Sequence, residues 1–391
     1  MKAVVLAAGK GHRLWPLTNR RPKPMIPVAN RPILEHVVAA LDAAGVSEVI
    51  LVVGANRERI QSHFGNGEAF DLKITYTVQA EQLGTGHALL QAADMIGDRF
   101  LALNGDRIID PEIINAVQKR YESTGDPTMA VTRVDTPSDY GVVDVANGTV
   151  QAIEEQPIPE LAASDLINAG VYAFSPDVFA AIRQTNTYGE QALTDALETM
   201  IDTQRVQAVP YDGLWADVSV PWDLLTVADT LLARETADTS SEPATAATRC
   251  ETAIANGPVQ YGSGVEIESY TTLRHSVALG DNVRLYPNVT ITNSILLSDV
   301  TIKSGTVITD SIIGANTTVG PNTTLEAGPA NVVLDGTVYN DVTFGSLLGD
   351  NVEVGANVTI RSGTIVGSGA TIDSGTHVSE QIDDHSHVTR G

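Results

Sequence analysis

Read for hydrophobic spacing alone, the chain changes its period once. Over about the first 230 residues, short apolar runs alternate with helical patterns. Lys2–Leu6, Glu48–Val53, Phe100–Leu103 and Thr128–Val134 predict buried strands, and the 3.6-residue spacing of Ile33–Ala44 and Pro111–Tyr121 predicts helices. Strands alternating with helices imply an α/β domain with a largely parallel sheet, whose ligands collect at the carboxyl ends of the strands.

After a stretch from Glu235 to Arg249 (ETADTSSEPATAATR) that lacks large apolar residues, the period becomes six. Ile267, Leu273, Leu279, Leu285, Ile291 and Leu297 fall six apart, as do Leu348, Val354, Ile360, Val366, Ile372 and Val378. Val307, Ile313, Val319 and Leu325 form a third run. Gly often follows the aliphatic residue (Gly280, Gly314, Gly320, Gly349, Gly355, Gly367), and Asn recurs near it (Asn282, Asn288, Asn351, Asn357). A hexapeptide period with turn-forming residues at fixed places predicts a parallel β-helix, each short strand stacking its aliphatic side chain on the coil below. Asn and Gly suit the left-handed turn conformation expected at the corners. The expected division is 1–234, a linker over 235–252, and a β-helix over 253–391.

Composition narrows the functional classes. A length of 391 residues with 43% hydrophobic content supports two cores. No apolar run approaches the roughly 20 residues of a membrane-spanning helix, and MKAVVLAAGKG turns glycine-rich too early for a secretory signal. The expectation is a cytoplasmic protein that does not use a membrane. One cysteine, Cys250, excludes an internal disulfide and a cysteine-based zinc cluster. The net charge of −24, with six lysines among 24 basic residues, is opposite to that of a nucleic-acid binder.

The strongest chemical signal lies between Lys2 and Glu35, KAVVLAAGKGHRLWPLTNRRPKPMIPVANRPILE. An apolar strand breaks into a Gly-rich loop, followed by Arg13 and Lys23. Such a loop can set backbone N–H groups against phosphate, while the two side chains bring positive charge to the same place.

LAAGKGHRLWPLT with RPKPM is joined by VQAEQLGTGHAL from Val78, LNGD at 103–106, YGVV at 140–143, INAG at 167–170 and WADVSVPWDLL at 215–225. Together and in this order, these motifs resemble the sugar-1-phosphate nucleotidylyltransferases that carry a C-terminal left-handed β-helix. That group includes glucose-1-phosphate thymidylyl- or uridylyltransferases and N-acetylglucosamine-1-phosphate uridylyltransferases. The resemblance covers the whole chain and implies a Rossmann-like nucleotidyltransferase domain followed by a left-handed parallel β-helix. It implies attack by a sugar-1-phosphate (glucose-1-phosphate or N-acetylglucosamine-1-phosphate) on the α-phosphorus of UTP or dTTP, expelling pyrophosphate.

Residue by residue, the resemblance places Leu6, Ala7, Ala8, Gly9 and Gly11 around the nucleotide, with Gln79, Gly84 and Thr85 against its base. Arg13 would stabilise the departing β- and γ-phosphates, and Lys23 would bridge the α-phosphate and the sugar phosphate. Gly141, Glu155, Asn168 and Gly170 would meet the sugar. Asp106, at the end of an apolar strand, and Asp217, in the WAD motif, suit Mg2+, which takes one or two carboxylates with phosphate oxygens. The chain departs from the family pattern at His12, where Thr or Ser is usual, and at Gln156, where many relatives have Lys.

For the β-helix two roles are open. In bifunctional relatives it is an acetyltransferase using acetyl-CoA, with a histidine ahead of a Gly-Asp pair. Here the corresponding Val338–Asp350, VYNDVTFGSLLGD, has the Gly-Asp but no histidine, and His275, His377, His385 and His387 lie outside that motif. The other role is assembly into a homo-oligomer, a trimer or another stoichiometry. A non-catalytic, ligand-sensing subunit of the same architecture is a third reading of the whole chain. Against it, Arg13, Lys23, Asp106 and Asp217 are all in place.

The acidity carries its own expectation, a salt-adapted surface, because dissolved ions screen the self-repulsion of 48 acidic against 24 basic residues. Calorimetry in rising KCl is expected to show Tm increasing toward molar salt. A flat or falling Tm would remove the salt-adapted reading.

Overall fold

Apolar runs with no polar alternation form strands here because both of their faces are covered. In the computed structural model, which describes residues 1–54, 56–185, 191–237 and 247–390, three such runs lie parallel with a fourth, half-exposed edge strand, Lys73–Val78. Their order across the sheet is Lys73–Val78, Glu48–Val53, Lys2–Ala7, Phe100–Asn104. Ala3, Val4, Val5, Val49, Leu51 and Val52 have no exposed surface. Contacts divide the chain into two units that do not follow chain order. Met1–Gly9 belongs with Ile33–Asp217, and Lys10–Pro32 belongs with Val218–Gly391.

The first unit holds a nine-stranded sheet. Beyond Phe100–Asn104 comes Leu166–Phe174, antiparallel to it, then Thr128–Arg133, Gln207–Pro210, Thr149–Glu155 and Gly141–Ala146. The largely parallel sheet expected from the pattern is therefore mixed. A buried apolar run reads the same whichever way the strand points, so the pattern holds no sign of direction. Only the hairpin of Gly141–Ala146 and Thr149–Glu155 declares itself, through Asn147 and Gly148, both at positive φ (53° and 76°) as a two-residue hairpin turn demands. Helices Ile33–Ala43 and Pro111–Thr124 occupy the places predicted, the second running on to Gly125, whose positive φ ends it. The strand order reverses between Lys2–Ala7 and Phe100–Asn104, so the crevice for a ligand opens past Ala7 and Asn104.

In the second unit, helix Pro221–Ala237 starts on Asp223, which accepts the backbone N–H groups of Ser219 (2.7 Å) and Val220 (2.8 Å). The β-helix follows, with parallel pairing throughout its coils. One face stacks Leu285, Ile302, Val319, Val354 and Ile372; another stacks Ile291, Ile308, Leu325, Ile360 and Val378. All of these are buried. Between Leu325 and Ser346 the hairpin Gly328–Leu334 with Thr337–Phe344 leaves the coil and returns to it. Of the stretch read as linker, 238–246 lie outside the described residues, and Ala247–Arg249 pairs with Val265–Ile267.

Two details of the hexapeptide reading are corrected. Leu296, not Leu297, stacks on Leu279, and Ile308, not Val307, stacks on Ile291. Val307 is 37% exposed. The corner over Thr292–Ser294 has one residue fewer than the corner over Arg274–Val277, where the pairing register shifts. A strict count of six therefore overshoots by one. The asparagines do sit at positive φ (55–61° at Asn282, Asn288, Asn351 and Asn357). The glycines after the aliphatic residues do not. Their reason is close approach, since a Cβ on Gly280 would lie 2.7 Å from Ser298 N, and one on Gly349 2.7 Å from Ser368 N.

The corrected register predicts opposite outcomes at neighbouring positions. Ile308→Ala should lose about 2–5 kcal/mol in denaturant unfolding, and Val307→Ala less than about 0.5 kcal/mol.

Candidate active site

The chain builds its first-unit site at the carboxyl ends of Lys2–Ala7 and Phe100–Asn104. Gly105 lets these ends close up. Its N–H donates to Leu6 O at 2.9 Å, and a Cβ there would stand 2.8 Å from that oxygen. Gly9 differs: nothing lies within 4 Å of a Cβ placed on it, and its φ is not in the left-handed region. The first unit does not need a glycine at 9 for its own packing, which leaves the reason to whatever approaches the exposed backbone. Ala8 O accepts a hydrogen bond from the Gln82 side chain, so a residue of the Val78 motif props the loop.

Asp106 and Asp217 are brought together by strand pairing. Trp215–Asp217 runs antiparallel to Arg107–Ile109, placing Asp217 opposite Arg107. The Arg107 guanidinium bonds the Asp217 carboxylate and lies 3.6 Å from Asp106. Its carbon also sits over the rings of Trp215 (5.4 Å) and Tyr140 (5.9 Å). Burial disfavours its charge, but Asp217 and then Asp106 more than offset that, holding it well above the ordinary arginine range. Its Nε is nonetheless buried without a hydrogen-bond partner.

Whether a divalent ion suits this place is answered by the donor set. Two carboxylates already converge on one cation, and hard oxygen donors of this kind, completed by phosphate oxygens, match Mg2+. The residues fit: the carboxylates of Asp106 and Asp217 are the donors that would hold such an ion. No cluster of three or more His, Cys, Asp or Glu occurs among the described residues.

The other predicted residues of this unit take the following places. Gln79, 4% exposed, has its amide nitrogen 3.0 Å from Gly84 O and 3.1 Å from His87 Nδ1. Thr85 Oγ1 accepts the Leu193 N–H at 2.9 Å, tying helix Leu193–Thr203 to the Gly84 turn. Asn168 Oδ1 accepts both Gly170 N–H (3.0 Å) and Tyr172 OH (2.8 Å). Gly170, at φ 74°, passes so close to Asn104 that a Cβ would fall 2.6 Å from its Nδ2. Glu155 reaches across Gly141, its Oε2 at 2.8 Å from where a Cβ would be. Burial, with the Glu155 charge adding to it, pushes the Tyr172 phenol far up.

In the second unit, Gly11 (φ 68°) packs under the Lys23 stem, a Cβ there falling 2.7 Å from Lys23 Cβ. Lys23 is 9% exposed, Arg13 and His12 are exposed, and Arg13 Nη2 lies 3.5 Å from Ser219 Oγ. Thr18 Oγ1 donates to Gly11 O at 3.2 Å. Arg107 and Gln82 are the residues that motif reading passed over. Arg107 directly follows LNGD, but its role shows only once Trp215–Asp217 is paired beside it.

A family model described as Nucleotidyl transferase matches residues 2–234. The chain belongs to the nucleotidyl transferase family. A second model, described as GMPPB C-terminal domain, matches residues 255–382. Bifunctional protein GlmU of Methanococcus maripaludis strain C5 is 40% identical over 228 residues, 58% of this chain and 53% of that protein. Glucose-1-phosphate thymidylyltransferase of Streptomyces griseus is 36% identical over 232 residues, 58% of this chain and 65% of that one. The low-salt glycan biosynthesis nucleotidyltransferase Agl11 of Haloferax volcanii is 36% identical over 231 residues, covering 58% and 64%. These matches span about half to two thirds of the length of those relatives. A UDP-glucose pyrophosphorylase structure from Acinetobacter baumanii aligns with a TM-score of 0.52 at 26% identity, over 60% of this chain and 93% of that one. A UDP-glucose pyrophosphorylase solved with UDP-glucose aligns at 0.55 over 60% and 98%, and at 24% identity it shows the shared fold alone.

The two glycines give a paired prediction. Gly105→Ala, forced against backbone, should cost about 1–3 kcal/mol of stability, whereas Gly9→Ala should stay within about 0.5 kcal/mol of the parent. Urea midpoints measure both.

Proposed function

We propose that this chain is a sugar-1-phosphate nucleotidylyltransferase, passing UMP or dTMP from UTP or dTTP to a hexose-1-phosphate (glucose-1-phosphate or N-acetylglucosamine-1-phosphate) with release of pyrophosphate. The observation that carries this is the convergence of Asp106 and Asp217 on a single cation at the strand ends, beside a glycine that the packing of its unit does not require.

A sugar phosphate is mostly dianionic near neutral pH, its second pKa being about 6. Its oxygen attacks the α-phosphorus, the bond from that phosphorus to the bridging oxygen breaks, and the electron pair leaves with pyrophosphate. The nucleophile needs no general base, so the demands on the protein are in-line placement and compensation of charge. Leu6–Gly9 and Gly11 offer backbone to the phosphates, Arg13 takes the departing β- and γ-phosphates, and Lys23 bridges the α-phosphate and the sugar phosphate. A Mg2+ ion would be held by Asp106 and Asp217 and would supply further neutralisation of phosphate charge. With the Gln79 amide nitrogen directed to Gly84 and His87, its Oε1 is the atom offered to the ring N–H that uracil and thymine share. Gly84 and Thr85 border the base. Gly141, Glu155, Asn168 and Gly170 are assigned to the sugar hydroxyls.

The same reading makes the protein a cytoplasmic enzyme that joins copies of itself through the β-helix. In its support, no described helix is long and apolar enough to cross a membrane. Ile254 and Tyr270 also stand 52% and 66% exposed on the β-helix coils.

A pyrophosphate-release assay crossing UTP and dTTP with glucose-, N-acetylglucosamine- and glucosamine-1-phosphate tests the reading and selects the pair. Asp106→Asn should keep the fold and lose Mg2+-dependent turnover by about 100-fold or more. Near-parental turnover would remove Asp106 from the site. Acetyl-CoA consumption with glucosamine-1-phosphate would instead favour a bifunctional enzyme.

A further inference from the structure

Lys10–Pro32, the segment that carries Gly11, Arg13 and Lys23, belongs by its contacts to the same unit as the β-helix. It lies along one row of β-helix corners. At the first, Asn30 Nδ2 donates to Leu279 O at 2.7 Å, next to Gly280 and Asp281. At the second, Arg21 Nη2 bonds both carboxylate oxygens of Asp350, at 2.7 and 2.9 Å, with side chains only 8% and 4% exposed. Pro16 approaches the adjoining Gly349 so closely that a Cβ there would meet its Cγ at 2.9 Å. At the third, Asp384 accepts Asn19 Nδ2 (2.9 Å) and Trp15 Nε1 (3.3 Å). These corners occupy equivalent places on non-adjacent coils, each two residues after a stacked aliphatic residue (Leu279, Leu348, Ile382). Asp281, Asp350 and Asp384 each accept a backbone N–H from the preceding coil, those of Ser263 (2.7 Å), Ala315 (2.9 Å) and Ser368 (2.6 Å).

We infer that the β-helix acts on the transfer reaction as the mount of its phosphate-handling segment, with Asp350 and Asp384 as positioning residues for Arg13 and Lys23. The inference rests on the roles proposed for Arg13 and Lys23. A buried guanidinium-carboxylate pair in which one nitrogen bonds both oxygens is charge-assisted and ties the segment down at Arg21, and each flanking bond removes a further freedom from the segment. Lys23 stands two residues from Arg21, and its stem packs on Gly11. Displacement of Arg21 is therefore passed to both the lysine and the loop. A shift of about 1 Å in such a group is enough to cost up to 100-fold in rate. The Gly349-Asp350 pair, which in sequence matches the Gly-Asp of the acetyltransferase motif without its histidine, thereby acquires a use unconnected with acetyl-CoA.

The test is made on the full chain with Asp350→Asn, Asp350→Glu and Asp384→Asn, reading backbone hydrogen exchange and steady-state kinetics together. Asp350→Asn should speed exchange in 10–26 by about tenfold or more while the Lys2–Ala7 and Phe100–Asn104 strands keep parental protection. It should lower kcat by about tenfold or more, with Asp350→Glu recovering part of both. Asp384→Asn, at an exposed corner, should show the same pattern more weakly and stands in if Asp350→Asn does not fold. Faster exchange in 10–26 with parental kcat would overturn the inference. So would parental exchange in that segment, or loosening spread evenly through the chain. Failure of the parent to release pyrophosphate from any substrate pair would sink the proposed reaction, leaving exchange to judge the mount alone.

Discussion

Two acids facing one guanidinium set the terms for the first unit. Like charges a few ångströms apart repel by roughly 4 kcal/mol even at an effective dielectric constant of 20. Asp106 and Asp217 can therefore share a place only while a cation stands between them. Arg107 supplies that charge, braced by Trp215 and Tyr140. Because its Nε is buried without a partner, the guanidinium satisfies the acids better than the acids satisfy it. The surrounding architecture serves the convergence. Gly105 lets the strand end close on Leu6, and the short Trp215–Asp217 strand exists only as a partner for Arg107–Ile109.

That requirement also bears on the contrast between the chain's net charge of −24 and the anionic substrate proposed for it. Overall charge governs solubility and long-range repulsion, both screened beyond about 8–10 Å in physiological salt. Binding of the proposed triphosphate would be decided inside that radius. Arg13 stands two residues beyond Gly11 and the stem of Lys23 packs on Gly11, so the local balance is set by the loop's own neighbours.

What the sequence revealed were its local features. The strands at Lys2, Glu48, Phe100 and Thr128, the helix at Ile33 and the six-residue repeat are written in consecutive side chains, and all are present. Direction was hidden, since Leu166–Phe174 is as apolar as a parallel strand and gives no hint that it runs backwards. Exact stacking was hidden too. A single residue fewer at the Thr292–Ser294 corner moves the core from Leu297 to Leu296 and from Val307 to Ile308. Gly280 and Gly349 were legible as special, but for the wrong cause, because glycine marks both a positive φ and a tight approach and the letter is the same. Within the candidate site, the motifs named Asp106 and Asp217 but not Arg107, which acts through a strand partner 110 residues away.

The same distinction between local and distant information applies to the segment that carries Arg13 and Lys23. The segment 10–32, with five prolines, has only short-range backbone bonds of its own near Arg13 and Lys23. It has three short 3-10 turns, His12–Leu14, Leu17–Asn19 and Lys23–Met25, and one two-residue strand pair. Further fixed points come from elsewhere in the unit, at three corners of the β-helix. Each corner aspartate is already held by a backbone N–H of the coil before it, so its remaining capacity as an acceptor points in a set direction. Arg21, Asn19 and Trp15 reach two such acids, and Asn30 reaches a carbonyl at a third corner. Repetition, which in the hexads looks like a device for stability alone, thus yields a row of equivalent acceptors. An irregular segment can be laid along such a row and held to a single conformation.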